Sequence, residues 1–478
     1  MELGDALELI RTGPQGPGVG AFFDFAGTVV ATTRAPRLSL GNTAGISDSL
    51  LLSGLSDAGP DRAQLSDAVL GRRMTESELA AIARRLFAGR LAGRIHPQIW
   101  ELVRAHRAAG HTVVIVTSAF CFQVDAVAQA LGADRVLCSR LEIRDGVSTG
   151  ALAASIGDGD DKIAAVRDFV SDSGVVLSRS YGYAGVCSDA PLLRALGRAF
   201  LVNPGRRAER HGRALGWRTL DFRRPGRART RRVLRTAYGL LAILGAAMAA
   251  MVTSAGRDRR TAADRMYAWI SDAGLRAAGV RVRVTGSEYL KSRRPAVFVF
   301  NHQSQLDTLV IPHVLRAGFT GVVAGKVRRY PIFGPLIRMC GATFIDRVPG
   351  TDAMRALEPL VDGLRAGVSV AIAPEGQVSP TPSPLAFKKG AFHLAGAAGV
   401  PIVPIVIRNS WEILWRGSAF VTPGVIDVRV LAPIDVADAA PETIAHHIER
   451  TRNMYIELLD TWRGSASSGS LAHDVIER

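Results

Sequence analysis

His302 and Asp307, with four residues between them in Asn301-His302-Gln303-Ser304-Gln305-Leu306-Asp307, are the most chemically suggestive pair in this chain. They directly follow the apolar run Ala296 to Phe300, which reads as a buried strand. Sheets of alternating strands and helices gather ligands at the carboxyl ends of their strands, where loops and helix N-termini converge. An imidazole steered by a carboxylate at such an end can take the proton from a hydroxyl as that hydroxyl attacks an acyl carbonyl. The chemistry this implies is acyl transfer onto an alcohol. Alone, the same spacing also suits a simple helix cap after a strand, so the elements around it must decide.

Further segments pair an apolar run with a polar or Gly/Pro terminus: Lys326 to Gly334, then Gly341 to Arg347, then Val368 to Ala373 followed by Pro374-Glu375-Gly376, and last Val400 to Ile407. In this order and spacing they resemble the motif blocks of the glycerolipid acyltransferases, specifically the 1-acylglycerol-3-phosphate acyltransferase family, over roughly residues 262–462. The resemblance implies an α/β domain in which His302 is the general base and Asp307 its orienting partner. Asn301 and Ser304 would brace the loop. Arg347 would grip the acceptor phosphate, a task suited to a planar fork of donors. Glu375 and Gly376 would shape the acceptor site.

The family usually continues Pro-Glu-Gly with Thr-Arg-Ser, whereas Gln377, Val378 and Ser379 follow here. A second phosphate-gripping arginine is therefore missing. Either Lys326, Lys388 or Lys389 supplies that charge, or the acceptor differs from ordinary lysophosphatidic acid. The resemblance implies an acyl-CoA or acyl-carrier-protein thioester as donor, a lysophospholipid as acceptor, and no cofactor for the transfer itself.

The amino-terminal half carries a second constellation, beginning at Ala21-Phe-Phe-Asp24-Phe-Ala26-Gly-Thr28. It resembles the phosphoserine-phosphatase-like branch of the haloacid dehalogenase superfamily, with a Rossmann-like fold and a helical cap. By that resemblance Asp24 matches the nucleophile, Thr117 the phosphoryl-binding hydroxyl, Lys162 the third motif and Asp189 the surviving acid of the fourth. Ala26 stands where the acid/base belongs, and Gly185 where a magnesium ligand belongs. A methyl group exchanges no proton, and Asp24 and Asp189 alone would hold magnesium poorly. The expectation is a degenerate hydrolase domain at 19–222, with a helical insert near 35–110, needing magnesium only if its site is active.

At 478 residues the chain suits two such units and a linker. The net charge of +16 is concentrated: Arg206 to Arg235 holds twelve arginines against Glu209 and Asp221. Directly after it, the 21 residues Thr236 to Gly256 carry no charge and suffice to cross a hydrocarbon layer of roughly 30 Å. Arginines beside an apolar helix favour anionic lipid headgroups. Interleaved aromatics or a reader motif for nucleic acid are missing, so no nucleic-acid partner is expected. The linker is placed at 223–261, with the segment near Asp264 to Ala278 returning along a membrane surface as a re-entrant or monotopic hairpin. The acyltransferase domain would then face the cytoplasm, where acyl thioesters are made. Cys121, Cys138, Cys187 and Cys340 are scattered and read as reduced, mostly buried thiols, and the polar tail 463–478 as mobile.

Overall fold

The computed structural model describes residues 1–31, 73–222, 226–331, 333–345, 357–416, 418, 420–436 and 441–462. Arg347, residues 32–72 of the expected helical insert, and the tail 463–478 lie outside them. The chain divides into two compact units, Met1–Pro225 and Gly226–Arg478.

In the first unit, the described strands form one sheet: β1 (Gly20–Asp24), β2 (Thr112–Phe120), β3 (Arg135–Arg144), β4 (Val147–Ala154), β5 (Tyr181–Ala184), β6 (Arg198–Val202) and β7 (Arg218–Leu220). Their order is β4-β3-β2-β1-β5-β6-β7, and every pairing is parallel except β3 with β4. Ala21, Phe22 and Phe23 of the central strand are all fully buried, because both faces of a parallel sheet are covered. Phe22 enters a cluster with Val114, Val116 and Ile163, while Phe23 stacks on Tyr183 at 4.5 Å on the opposite face. The described part of the insert contains the helices Glu76–Leu86 and Pro97–Ala108. Thr75 caps the first of them, accepting from the Glu78 amide while Glu78 reaches back to the Thr75 N–H.

Two of the cysteines correct the expectation of reduced thiols, since Cys121 and Cys138 form a disulfide with Cα atoms 5.3 Å apart. Cys121 opens the helix after β2, and Cys138 lies in the neighbouring parallel strand, where Phe120 pairs with Ser139. The strand-helix-strand crossover brings together residues 17 apart, which a search for close cysteine pairs does not find. Of the free pair, Cys340 is buried but Cys187 is exposed, a second departure from buried thiols.

The second unit opens with the helix Gly226–Thr253, which continues through the last arginines into the apolar run. Its stretch Val233–Thr253 is long and apolar enough to cross a membrane, and 22% of it is buried within the protein. After a short turn, Asp258 caps the next helix, Arg259–Ala278, by accepting from the Thr261 amide. The two form a hairpin in which Ile243, Ala247 and Ala250 pack against Met266 and Ile270. Leu234, Leu241, Met248 and Val252 remain exposed on the first helix.

The described strands beyond the hairpin are β8 (Val280–Thr285), β9 (Val297–Phe300), β10 (Phe319–Ala324), β11 (Thr343–Ile345), β12 (Ser369–Ile372), β13 (Ile402–Ile407) and β14 (Gly424–Val430), ordered β11-β10-β12-β9-β13-β14-β8. Only β13 and β14 pair antiparallel. Alternate residues of β9 feed two cores: Phe298 packs with Ala371, Val403 and Ile405, and Val297 and Val299 with Val370, Ile402 and Val406. β9, β12 and β13 run in one direction, so the segments following β9 and β12 emerge at the same edge of the sheet.

Candidate functional site

Asp307 starts the helix Asp307–Leu315 and is completely buried. Its Oδ2 accepts from the amides of Gln303 and Ser304 at 2.8 and 2.9 Å, so the loop between β9 and the helix folds around the carboxylate. The same oxygen lies 2.9 Å from His302 Nδ1. The loop is thus the frame that aims the imidazole, whose side chain is 17% exposed while its partner is sealed. With a proton on Nδ1 directed at Asp307, Nε2 is left as the basic nitrogen.

Three tethers fix the loop from outside. The Asn301 amide donates to the Ile407 carbonyl and accepts from the Ile407 N–H, both at 2.8 Å, tying it to β13. Ser304 Oγ donates to the Leu414 carbonyl at 2.8 Å. Glu375 Oε1 accepts from the His302 N–H at 2.8 Å, while its Oε2 accepts from Leu385 N–H at 2.7 Å. Burial raises the Glu375 carboxyl to about 7, aided by repulsion from Asp307 and opposed by those two amides. Gly376 turns the chain at φ +68°, a conformation that a side chain disfavours.

Of the cations expected from sequence, Lys388 joins the frame through its backbone, its N–H donating to the Pro374 carbonyl at 2.9 Å. Lys326 is exposed in the short turn after β10, and Lys388 and Lys389 are exposed at the start of the helix Gly390–Ala398. Arg347 falls outside the described residues. An unexpected cation does reach the frame: Arg416 Nη1 donates to the Val378 carbonyl at 2.9 Å.

In the first unit, Asp24 ends β1, and Lys162 stands in the first turn of the helix Asp160–Ser173. Lys162 Nζ lies 2.7 Å from both Asp24 Oδ1 and Asp189 Oδ1, and none of the three side chains is more than 4% exposed. Burial works against the ammonium, but the two carboxylates outweigh it and raise the Lys162 pKa. Asp24 is shifted upward, chiefly by burial. Asp189 is raised to about 7 by burial and by repulsion from Asp24. Thr117 is buried in β2, its hydroxyl accepting from the Ala119 amide.

This donor set does not fit the magnesium that the second resemblance implies. Its two buried carboxylates already share one ammonium, with Asp158 3.7 Å from the same nitrogen, and among the described residues no group of three acids, histidines or cysteines is placed to hold a metal ion. Gly185 cannot simply be given a carboxylate either: a Cβ there would lie 2.8 Å from the Val202 carbonyl oxygen.

Known families match both units. The acyltransferase family matches residues 281–408, and the haloacid dehalogenase-like hydrolase family residues 21–194. The 1-acyl-sn-glycerol-3-phosphate acyltransferase alpha of Homo sapiens is 31% identical over 201 residues, which is 42% of this chain and 70% of that protein. The chain belongs to the 1-acyl-sn-glycerol-3-phosphate acyltransferase family. It joins an acyltransferase domain of that family to a haloacid dehalogenase-like domain. Within the family, the enzyme of Cocos nucifera is 30% identical over 197 residues, 41% of this chain and 61% of the relative, so the chain spans less than two thirds of that relative's length. A crystal structure of the 1-acyl-sn-glycerophosphate acyltransferase from Thermotoga maritima is 26% identical and covers 49% of this chain and 99% of that one, with a TM-score of 0.42.

Sequence reasoning named the loop residues of this acyltransferase domain but missed Arg416. That residue follows the Trp411 to Trp415 segment and belongs to no motif. The tether between Ser304 and Leu414 brings its segment to the loop.

Proposed function

We propose that this chain is a membrane-associated O-acyltransferase. It moves a fatty acyl group from an acyl-CoA or acyl-carrier-protein thioester to the free hydroxyl of a lysophospholipid, 1-acylglycerol-3-phosphate in the first instance, to give phosphatidic acid. The observation that carries the reading is the His302 imidazole, held through Nδ1 by a buried carboxylate while remaining partly open.

In the reaction, His302 Nε2 takes the hydroxyl proton as the oxygen attacks the thioester carbonyl. The tetrahedral intermediate then breaks its C–S bond, and the imidazolium returns the proton to the departing thiolate, which leaves as the free thiol. Asp307 holds the ring in the required tautomer and offsets the charge that forms on it. Asn301, Ser304 and Glu375 keep the loop in place, and Gly376 lets the chain after β12 turn beside it. Arg347 is assigned to the acceptor phosphate. No cofactor takes part in these steps.

The exposed apolar face of the helix Gly226–Thr253, flanked by the arginine-rich stretch before it, supports lodging in a lipid layer. The short turn into the helix Arg259–Ala278 favours a hairpin that enters and returns, with the acyltransferase domain on the cytoplasmic side. The haloacid dehalogenase-like unit is assigned a structural or regulatory role with little hydrolysis, supported by Ala26, Gly185 and the lysine shared between Asp24 and Asp189.

Purified protein in detergent, a labelled oleoyl thioester and a panel of lysophospholipid, glycerol-phosphate and phosphate-free acceptors test the proposal. Transfer is expected onto lysophosphatidate. Transfer to none of the panel would defeat the reading, and release from membranes by carbonate without detergent would remove its membrane element.

A further inference from the structure

Asp307 can steer His302 only if the helix that begins with it is itself held in place. That helix, Asp307–Leu315, has nine residues and contains Pro312, which has no N–H to give to the preceding turn. A helix so short and so interrupted is marginal by itself, and its direction depends on what it packs against. Its far end needs an anchor outside the helix.

The second helix of the hairpin, Arg259–Ala278, supplies one. Asp272 Oδ1 lies 2.6 Å from His313 Nδ1 and accepts from Arg316 Nη1 at 2.6 Å, while Asp272 Oδ2 accepts from Arg316 Nη2 at 3.1 Å. Arg316 directly follows the helix with φ +67° and ψ −63°, and across it the Ala317 N–H donates to the Leu315 carbonyl at 2.8 Å. This is a γ-turn with its central residue on the left-handed side, a strained conformation for any side chain. Such strain persists only where the surroundings impose it, and the two-pronged bond from Arg316 to Asp272 does so. The same hairpin helix grips the chain further on, since Asp264 Oδ1 accepts from the Gly318 N–H at 3.1 Å and Arg260 Nη2 donates to the Phe319 carbonyl at 2.6 Å. The apolar contact is equally close: a Cβ added to Gly274 would lie 3.0 Å from side-chain atoms of both Ile243 and Leu309. Hairpin and helix therefore meet along a polar seam and a tight apolar one.

We infer that Asp272 is a positioning residue for acyl transfer: by clamping His313 and Arg316 it fixes the strained turn at one end of the helix Asp307–Leu315, and with it the placement of Asp307 and His302 at the other. The inference deepens the acyltransferase reading and rests on it. Arg316 stands roughly 13 Å along the helix axis from Asp307, so the clamp acts through the helix and not on the substrate. The hairpin also carries the exposed apolar face, which ties the alignment of the base to the element assigned to lipid.

The test is steady-state kinetics on the full-length protein in detergent, comparing wild type, Asp272→Asn, Arg316→Ala and Arg316→Gly with 1-oleoylglycerol-3-phosphate and an oleoyl thioester. Melting temperature and circular dichroism give the folded fraction, so kcat is taken per folded molecule. Asp272→Asn is expected to lower kcat by about tenfold or more through misplacement of the base, with KM for donor and acceptor within about twofold of the parent. Arg316→Ala loses the clamp but keeps a side chain at a positive φ, and its kcat should fall likewise. Arg316→Gly loses the same clamp yet adopts that φ without strain, so it should recover most of what alanine loses. A parental kcat in Asp272→Asn and Arg316→Ala, whatever their melting temperatures, overturns the inference and marks the clamp as merely structural. Equal losses in the alanine and glycine variants overturn it too, because the strained turn would then play no part. Where Asp272→Asn does not fold, the Arg316 pair decides alone. A wild-type protein that acylates nothing removes the parent reading, and that result is visible before any variant is made.

Discussion

Each unit places an acid at the carboxyl edge of a parallel sheet, yet the two acids are spent differently. Asp307 uses a single oxygen to collect two amides and one imidazole, and that imidazole stays partly exposed. Asp24 and Asp189 instead converge on one ammonium, and all three groups are sealed together. The first arrangement directs a base outward, whereas the second closes its charges on one another. A strand-end carboxylate thus makes a reaction centre only when its partner has a second, accessible face.

The largest expected effect comes from changing the carboxylate that holds the imidazole. Asp307→Asn keeps the size but offers an NH₂ or the wrong tautomer partner, so the transfer rate should fall by about 10³-fold in the thioester assay, within the span expected for losing oriented general-base catalysis. A fall of less than about tenfold would mean that the loop amides alone hold His302.

Removing the shared cation should act on stability instead. Lys162→Met leaves two buried carboxylates facing each other without a counter-charge. A loss of about 3–5 kcal/mol in the unfolding of the amino-terminal unit is expected from denaturant titration. The transfer rate per folded molecule should stay near wild type, and a large change in it would undo the separation drawn between the two sites.

A smaller effect sharpens the same contrast through pH. Asp189 has its carboxyl raised to about 7, so the folded protein holds that proton more tightly than the unfolded chain does. Its contribution is most favourable in acid and is lost as pH climbs from the ordinary carboxylate range, near 4, towards 7. Asp189→Asn removes that titration. Melting temperatures of the variant should fall less between pH 5 and 8 than those of the parent, and parallel curves would show that Asp189 does not titrate there.

The smallest effect is expected from restoring the lost hydrolase residues. Ala26→Asp with Gly185→Asp, built into full-length protein with magnesium and phosphoserine or phosphatidate, should remain below about 1 turnover per second. The Cβ at position 185 would crowd the Val202 carbonyl, so a new carboxylate cannot settle without backbone movement. Rapid turnover would show that the scaffold had kept its catalytic geometry.

The strands that carry both sites were legible because unbroken apolar runs such as Val297 to Val299 and Ala21 to Phe23 are buried on both faces, and their polar ends mark where the sheet opens. The spacing from His302 to Asp307 was legible for the same local reason, since a single loop brings the two together. What the sequence hid depends on distant segments meeting. Arg416 approaches Val378 across 38 residues, and Glu375 reaches the His302 amide across 73. Cys121 and Cys138 meet only because a helix returns the chain to the next strand. The apolar stretch was visible as composition, but its antiparallel packing on the helix Arg259–Ala278 was set by which small and branched residues face each other, among them Ala247, Ala250 and Ile270.

The central claim is tested most directly by His302→Ala in full-length protein, with acyl transfer from the labelled thioester to lysophosphatidate measured beside circular dichroism and melting temperature. The account predicts a fold and melting temperature close to the parent and a transfer rate lower by at least about 10²-fold. A well-folded variant that still transfers at a substantial fraction of the parental rate would contradict it, because the proton would then leave the acceptor hydroxyl by a route that does not pass through this imidazole.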